Sequence, residues 1–335
     1  MNWDMLGHEW AVELLKEHIV QDKVRHAYLL VGSPGIGRRT LGLRFAQALN
    51  CLRSPDKGEF CGSCRICDQI ARMQHADLAI VQSEQTGESL KVEQIRELQH
   101  SLALAAYEAN YRVAMILRFE EATISAMNAL LKTLEEPAPR VVLILTADSA
   151  ESLLPTIVSR CEVLRLRPLP VSQISHGLTN RWQVPEEQSR VLAHVSAGRP
   201  GYALSLFNEP ERLEKRKIYL DDHWMLLSAN RVTRFSYAEK CANDAKKSAQ
   251  DRDWLNETLR IWLSLWRDVL LQTLGTSNDL VNLDRKDEID TLASRYGTQQ
   301  AYQMVTAINR SLDLIGRNSN IRLTLEVLML DIPFL

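Results

Sequence analysis

Two groups of residues in this chain of 335 have the types and spacing to do chemistry. The first is sulfur. Four of the six cysteines, Cys51, Cys61, Cys64 and Cys67, follow the spacing C-x9-C-x2-C-x2-C. Each two-residue spacer lets neighbouring thiolates turn toward one cation, and Gly62 eases the turn after Cys61. Four thiolates close a tetrahedral zinc site with no position left for water, so this zinc is expected to be structural rather than catalytic. Four unrelated reduced thiols and an iron–sulfur cluster are the competing readings. Cysteines seldom gather this way in a chain with only two others, Cys161 and Cys241, which favours zinc. Cys241 reads as a small buried hydrophobe.

The second group is a glycine-rich loop, Gly32-Ser33-Pro34-Gly35-Ile36-Gly37-Arg38-Arg39-Thr40, between a strand-like run and a helical pattern. In that setting backbone N–H groups and a helix N-terminus can curl around phosphates. A working loop also needs a Lys for the terminal phosphates and, next to it, a Ser or Thr for magnesium. Arg38 and Arg39 stand at those two positions, and Thr40 comes one residue late. Arginine lacks the compact point charge of lysine, and Arg39 cannot ligate a cation. A turn needed only for folding and weak residual phosphate binding both stay open. The strand that should end in magnesium-holding acids runs from Val113 to Leu117. Counted back from Asn128, the acid positions are Leu117 and Arg118. Glu120 and Glu121 come three residues later and are expected to point elsewhere. Productive ATP binding is therefore not expected.

The elements around these residues alternate between strand and helix. Strand-like runs at His26–Val31, Leu78–Val81, Val113–Leu117 and Val141–Leu145 are separated by helical patterns at Trp10–Ile19, Thr40–Leu49, around Val92–Leu102 and at Ile124–Leu134. Such alternation predicts an α/β domain, a parallel sheet with helices on both faces, with any phosphate site beyond the strands' carboxyl ends. After Pro168 and Pro170 the strand signals stop. A small helical unit, broken at Gly198–Gly201, is followed by helices only, including an aromatic stretch from Trp254 to Leu274 and a polar break at Gly275–Asp279. The expected domains are 1–167, containing the cysteine module 51–67, then 168–208, then an all-α region 209–335.

Bulk properties narrow the function. A net charge of −2 excludes a strongly basic nucleic-acid binder, and 45% hydrophobic with 24% charged residues suits a soluble globular protein. Met1–Trp10 lacks the layout of a signal peptide, and no run approaches the roughly 20 apolar residues that span a bilayer. No membrane association and a cytoplasmic location are expected. Lys215-Arg216-Lys217 and Lys246-Lys247 read as solvated faces, and the stripe Leu255, Leu259, Trp262, Trp266, Leu270 reads as core.

The segment Asn128-Ala129-Leu130-Leu131-Lys132-Thr133-Leu134-Glu135-Glu136-Pro137, a strand ending in Thr146, and then Ser159-Arg160-Cys161 resemble the hallmarks of clamp-loader subunits of the AAA+ class. The match in order and spacing covers about the first half of the chain. The resemblance implies a AAA+ domain with a zinc-binding insertion, a small helical lid and a helical collar that packs in a ring. It also implies that Arg160, within Ser159-Arg160-Cys161, is an arginine finger inserted into a neighbour's ATP site. Thr146 takes the first sensor position. The second sensor arginine of active members falls on Gly201, with Arg199 close by in sequence. With the altered loop and missing acids, this points to the family's non-hydrolysing end subunit. Its expected partners are the ATP-binding gamma/tau subunits and the delta subunit in a hetero-pentamer, and through them the sliding clamp and primed DNA. An ATP-binding or weakly active gamma/tau-like ATPase is the alternative. The tail Asn318–Leu323 with Leu325–Leu328 is similar to the last helix of such chains.

Overall fold

A computed structural model of the chain describes residues 3–83, 88–104, 106–276, 280–316 and 319–335, without the side chains of 249–251. Asn318 of the tail motif and Ser277–Asp279 of the polar break lie outside the described residues. The chain divides into two compact units. The first takes residues up to 83, 88–177 and 198–202, and the second takes 178–197 and 203–335, so the segment 168–208 is shared between them.

The first unit runs α1 (Glu9–Val20), β1 (Ala27–Val31), α2 (Arg38–Asn50), α3 (Arg65–Ala71), β2 (Leu78–Val81), α4 (Val92–Leu102), β3 (Arg112–Ile116), α5 (Ile124–Glu135), β4 (Val141–Ala147), α6 (Pro155–Val158) and β5 (Glu162–Arg165). The five strands form one sheet in the order β2-β3-β4-β1-β5, every pair parallel. Successive side chains of a strand point to opposite faces, and both faces are covered. Tyr28 and Leu30 join Val12, Leu15, Phe45 and Ile144 on one side. Ala27, Leu29 and Val31 join Ile95, Leu98, Leu130 and Leu143 on the other. This is why β1 and β4 read as unbroken apolar runs. Thr123 caps α5 by accepting from the Ala126 N–H at 3.2 Å, and Pro137 follows soon after its last turn.

The remaining helices are α7 (Val171–Trp182), α8 (Glu186–Val195), α9 (Pro200–Asn208), α10 (Glu211–Ser228), α11 (Arg231–Asp244), α12 (Ala249–Thr273), α13 (Lys286–Gly316, kinked at Gly297) and α14 (Ile321–Asp331). The tryptophan stripe is core, as its spacing implies. Trp262 and Trp266 are fully buried among Leu220, Leu259 and Met304. Trp262 Nε1 donates to the Tyr219 carbonyl at 2.8 Å. One expectation fails here. Arg216 is not on a solvated face but buried, pairing with Asp284 at 2.6 Å and donating to Asn282 Oδ1 at 2.6 Å. Its guanidinium fastens the turn before α13, while Lys215 and Lys217 do remain exposed. Among the described residues no helix is long and apolar enough to cross a membrane.

Candidate functional site

The glycine-rich loop leaves the carboxyl end of β1, where a parallel sheet offers room for an anion. Its backbone needs glycine at three points: φ is 151° at Gly32, 83° at Gly35 and 114° at Gly37. A Cβ on Gly32 would sit 2.8 Å from the Leu166 carbonyl oxygen. One on Gly35 would sit 2.8 Å from Tyr202 Cβ. The first residues of α9 lie directly on the loop, with the Gly201 N–H donating to the Gly35 carbonyl at 2.8 Å. Gly201, where an active relative would place its sensor arginine, has no space for one, since even a Cβ would meet Gly35 O at 2.9 Å. Arg199 turns instead to stack on Tyr202, 4.3 Å from the ring centre.

Arg38 opens α2 and is buried, with its side chain 9% exposed. It forms an ion pair with Asp148 at 3.0 Å. Asp148 follows β4 directly, so it reaches the loop from the neighbouring strand's carboxyl end. Glu120, expected to point away, comes back to this cluster from the short 3-10 turn after β3. Burial, with the Asp148 carboxylate beside it, pushes Glu120 up to about 7, against a hydrogen bond from its own backbone N–H and then the Arg38 charge. Its Oε2 is buried without a hydrogen-bond partner among the described residues. Arg39 and Thr40 are exposed, and Arg39 Nη2 lies 2.9 Å from Met73 Sδ. At the two acid positions, Leu117 is buried and Arg118 is half-buried. The Arg118 N–H donates to Thr146 Oγ1 at 2.9 Å, and its side chain meets Glu121 at 3.1 Å and Ser83 at 2.9 Å. Asp148 gave no sequence signal, because an Asp after a strand is ordinary.

The four cysteines do converge. Their sulfur atoms all lie within 4.8 Å of one another, and Cys51 Sγ is 3.6 Å from Cys61 Sγ. Tetrahedral zinc–sulfur bonds of about 2.3 Å need sulfurs roughly 3.8 Å apart, so the set fits that ion. Local backbone prepares the sulfurs. The Cys61, Cys64 and Cys67 N–H groups point at Cys51, Cys61 and Cys64 sulfur at 3.3, 3.3 and 3.5 Å. Cys64 thereby caps α3. The Ser63 N–H leads the groups that lower the Cys61 thiol to about 6, while burial pushes Cys51 and Cys67 up. The cluster is tied to the sheet, because Gln47 of α2 donates to the Cys67 carbonyl at 2.7 Å and Trp3 donates to Gly58 at 3.0 Å.

Arg160 lies at the other end of the sheet. It precedes β5, and β5 is an edge strand paired with β1 in the register Tyr28–Glu162 to Val31–Arg165. The glycine-rich loop follows Val31, so the paired stretch alone, about 10 Å long, separates their levels. Arg160 Nη1 donates to the Thr156 carbonyl at 2.8 Å, and Nη2 pairs with Glu135 at 2.8 Å. Ser159 Oγ donates to the same Thr156 carbonyl at 3.1 Å, and Cys161 is half-buried with its thiol pushed up to about 12 by burial.

Comparison with known proteins agrees with this architecture. The profile of the family described as "DNA polymerase III, delta subunit" matches residues 7–170. DNA polymerase III subunit delta' of Bacillus subtilis is 28% identical over 320 residues, covering 96% of this chain and 94% of that one. The delta' subunit of Pseudomonas aeruginosa is 34% identical over 196 residues, covering 58% of this chain and 59% of its own. The tau subunit of Bacillus subtilis is 26% identical, covering 98% of this chain and 61% of its own. Among solved structures, a gamma-subunit-related protein of Thermotoga maritima covers 96% of this chain and 98% of its own at a TM-score of 0.45 and 17% identity, a likeness too distant to carry weight. The delta' and tau relatives are subunits of the DNA polymerase III clamp loader. Within that class, this chain belongs to the delta-prime family.

Proposed function

We propose that this chain is the non-hydrolysing, stator-like subunit of a DNA polymerase III clamp loader and that it lends Arg160 to the ATP site of an adjacent gamma/tau subunit. The observation that carries this reading is the placement of Arg160. In a parallel sheet, an arginine preceding an edge strand cannot serve a phosphate loop that follows the carboxyl end of the next strand. Any phosphate it meets belongs to another chain. A guanidinium beside the transferred phosphoryl group offsets charge in the transition state and is worth on the order of 10³-fold or more. The chain's own loop has Arg38 committed to Asp148 and Arg39 where a magnesium-holding hydroxyl would stand. It therefore contributes geometry and one cation to the loader and breaks no bond itself.

On the same reading, residues 1–167 are a AAA+ domain, 168–208 its lid and 209–335 a collar that packs on the delta and gamma/tau subunits. The outward face of α14 suits such packing. Leu323, Val327 and Leu330, spaced i, i+4, i+7, are 59%, 47% and 57% exposed. Cys51, Cys61, Cys64 and Cys67 would hold a structural zinc that fixes residues 51–67 to α2 and α3. Loading of the sliding clamp on primed DNA would then depend on this chain through assembly and Arg160. The test is ATP turnover by a loader reconstituted from gamma/tau, delta and this chain, with clamp and primed DNA present. Arg160→Ala should lower turnover steeply while gel filtration finds the complex intact. Unchanged turnover would remove the finger from the proposal.

A further inference from the structure

We propose that the phosphate loop of this chain is closed by an autoinhibitory contact of its own side chains: the Asp148 carboxylate, backed by Glu120, occupies the Arg38 guanidinium that a nucleotide triphosphate would need. The inference rests on the reading of the chain as a non-hydrolysing subunit and adds the physical reason for its silence.

Replacement of Lys by Arg does not by itself exclude phosphate, since a guanidinium binds phosphate well through its fork of donors. What matters is whether a phosphate can reach the rest of that fork, which at Arg38 is buried and not, as at Arg160, exposed. Arg38 is buried at the first turn of α2, and Asp148 meets Nη1 at 3.0 Å. Two carboxyl groups, from Asp148 and Glu120, gather around this one cation. When both are ionised, the local charge is −1 at the point where a phosphate chain would bring several more negative charges. A triphosphate must then compete with Asp148, whose side chain is 34% exposed, for a buried guanidinium, and must approach two carboxyl groups to do so. The helix N-terminus favours anions, but the carboxyl groups of Asp148 and Glu120 are held beside it by the chain itself. The strand ends bring these groups together. Asp148 follows β4, Glu120 follows β3, and Arg38 follows the loop from β1, all beyond the carboxyl end of one sheet. The Gly201–Tyr202 backbone lying on Gly35 covers the loop from outside.

The experiment is equilibrium binding of a fluorescent ATP analogue, with and without magnesium, to the full chain and to its Asp148→Asn/Glu120→Gln variant. Both replacements keep shape and remove charge, and thermal melts establish that the variants fold. Wild type is expected to bind no better than millimolar, and the double variant at least about tenfold tighter, a change of ~1.4 kcal/mol. Adding Arg38→Ala to the double variant should abolish the gain. The single Glu120→Gln variant leaves the Arg38–Asp148 pair in place and should still bind tighter than wild type, which keeps the test usable if Asp148→Asn does not fold, since no gain there would also overturn the inference. A folded double variant that binds no better than wild type overturns the inference. So does a gain that survives Arg38→Ala, or a wild type that already binds the analogue at micromolar level. Magnesium-dependent turnover by the wild-type chain alone would instead sink the non-hydrolysing reading, and it is measured separately as phosphate release.

Discussion

Removing the Glu135 carboxylate separates two roles for Arg160 that Arg160→Ala alone confounds. In the free chain Arg160 is held by Glu135 at 2.8 Å and by the Thr156 carbonyl at 2.8 Å. The two side chains of the ion pair are 36% and 51% exposed, so water screens their attraction. Exposed pairs contribute about 0.2–1 kcal/mol, a factor of roughly 1.4 to 5 in any equilibrium that depends on them. A trans arginine finger supplies on the order of 10³-fold or more in rate, or about 4 kcal/mol. A planar guanidinium has five donors, so pairing one edge with Glu135 leaves others for a phosphate. Glu135→Gln should therefore change ATP turnover of the reconstituted loader by no more than about fivefold, while Arg160→Ala costs about 10³-fold. Arg160→Lys keeps the charge but loses the fork and should fall between them. The assay is steady-state phosphate release at saturating ATP, clamp and primed DNA, with complex integrity checked by sizing. Glu135→Gln as damaging as Arg160→Ala would refute the reasoning, because the pair itself, not a finger reaching out of it, would then be what matters.

Zinc held by the four cysteines would stabilise the folded chain by about 2.7 kcal/mol when free metal is a hundredfold above its dissociation constant. Chelation, or Cys61→Ser, should lower the first thermal transition by roughly 5–10 °C, with elemental analysis reporting loss of stoichiometric zinc; no metal and no shift would reject the site. Burial, and then the Arg234 charge, hold His223 down at about 3, and its Nε2 accepts from Trp266 Nε1 at 2.7 Å. Below its unfolded value of 6.5 the unfolded chain takes up a proton that the folded chain refuses, so this group's contribution is full above 6.5 and falls with pH. Between pH 7 and pH 5 the loss is about 2 kcal/mol, readable by urea titration, and His223→Gln should flatten it; an unaltered slope would reject the assignment. Leu323→Glu with Val327→Glu should leave the isolated chain's stability within about 0.5 kcal/mol yet weaken co-elution with gamma/tau and delta, whereas full co-elution would place the collar contact elsewhere.

The elements that sequence made legible are those whose burial is one-sided or complete. β1 and β4 are buried on both faces and read as apolar runs, and α5 shows its 3.6-residue stripe of Ala126, Met127, Leu130 and Leu134. The cysteine site was legible because its ligands are near in sequence. β5 was not, since this four-residue edge strand alternates buried Leu164 with exposed Arg165 and begins on Glu162. α3 was also missed, because its start is set by the Cys64 sulfur accepting the Cys67 N–H rather than by a Ser, Thr or Asp. Arg216 and Glu120 escaped for one reason: a charged residue's partner is chosen by the fold. Asp284 lies 68 residues beyond Arg216, and no local pattern announces the pair.

The glycines of the loop illustrate why motif and chemistry come apart. At Gly32 a side chain would collide with the Leu166 backbone, and at Gly35 with Tyr202, whatever the loop binds. Those glycines are demanded by the way β1 turns into α2 against β5 and the start of α9, so their presence says nothing about phosphate. The positions that carry phosphate chemistry have no such duty. Arg39 and Thr40 are exposed, and Arg38 finds its partner in Asp148. A chain can therefore lose the reactive half of the motif and keep the fold that the other half builds. Arg160 is insulated from that loss because it stands at the opposite end of the strands, held by Glu135 and Thr156, which belong to α5 and α6. Only the sheet connects the two, and the sheet needs neither nucleotide nor magnesium to form. That independence is what would let the silent phosphate loop and the trans arginine proposed above reside in one domain.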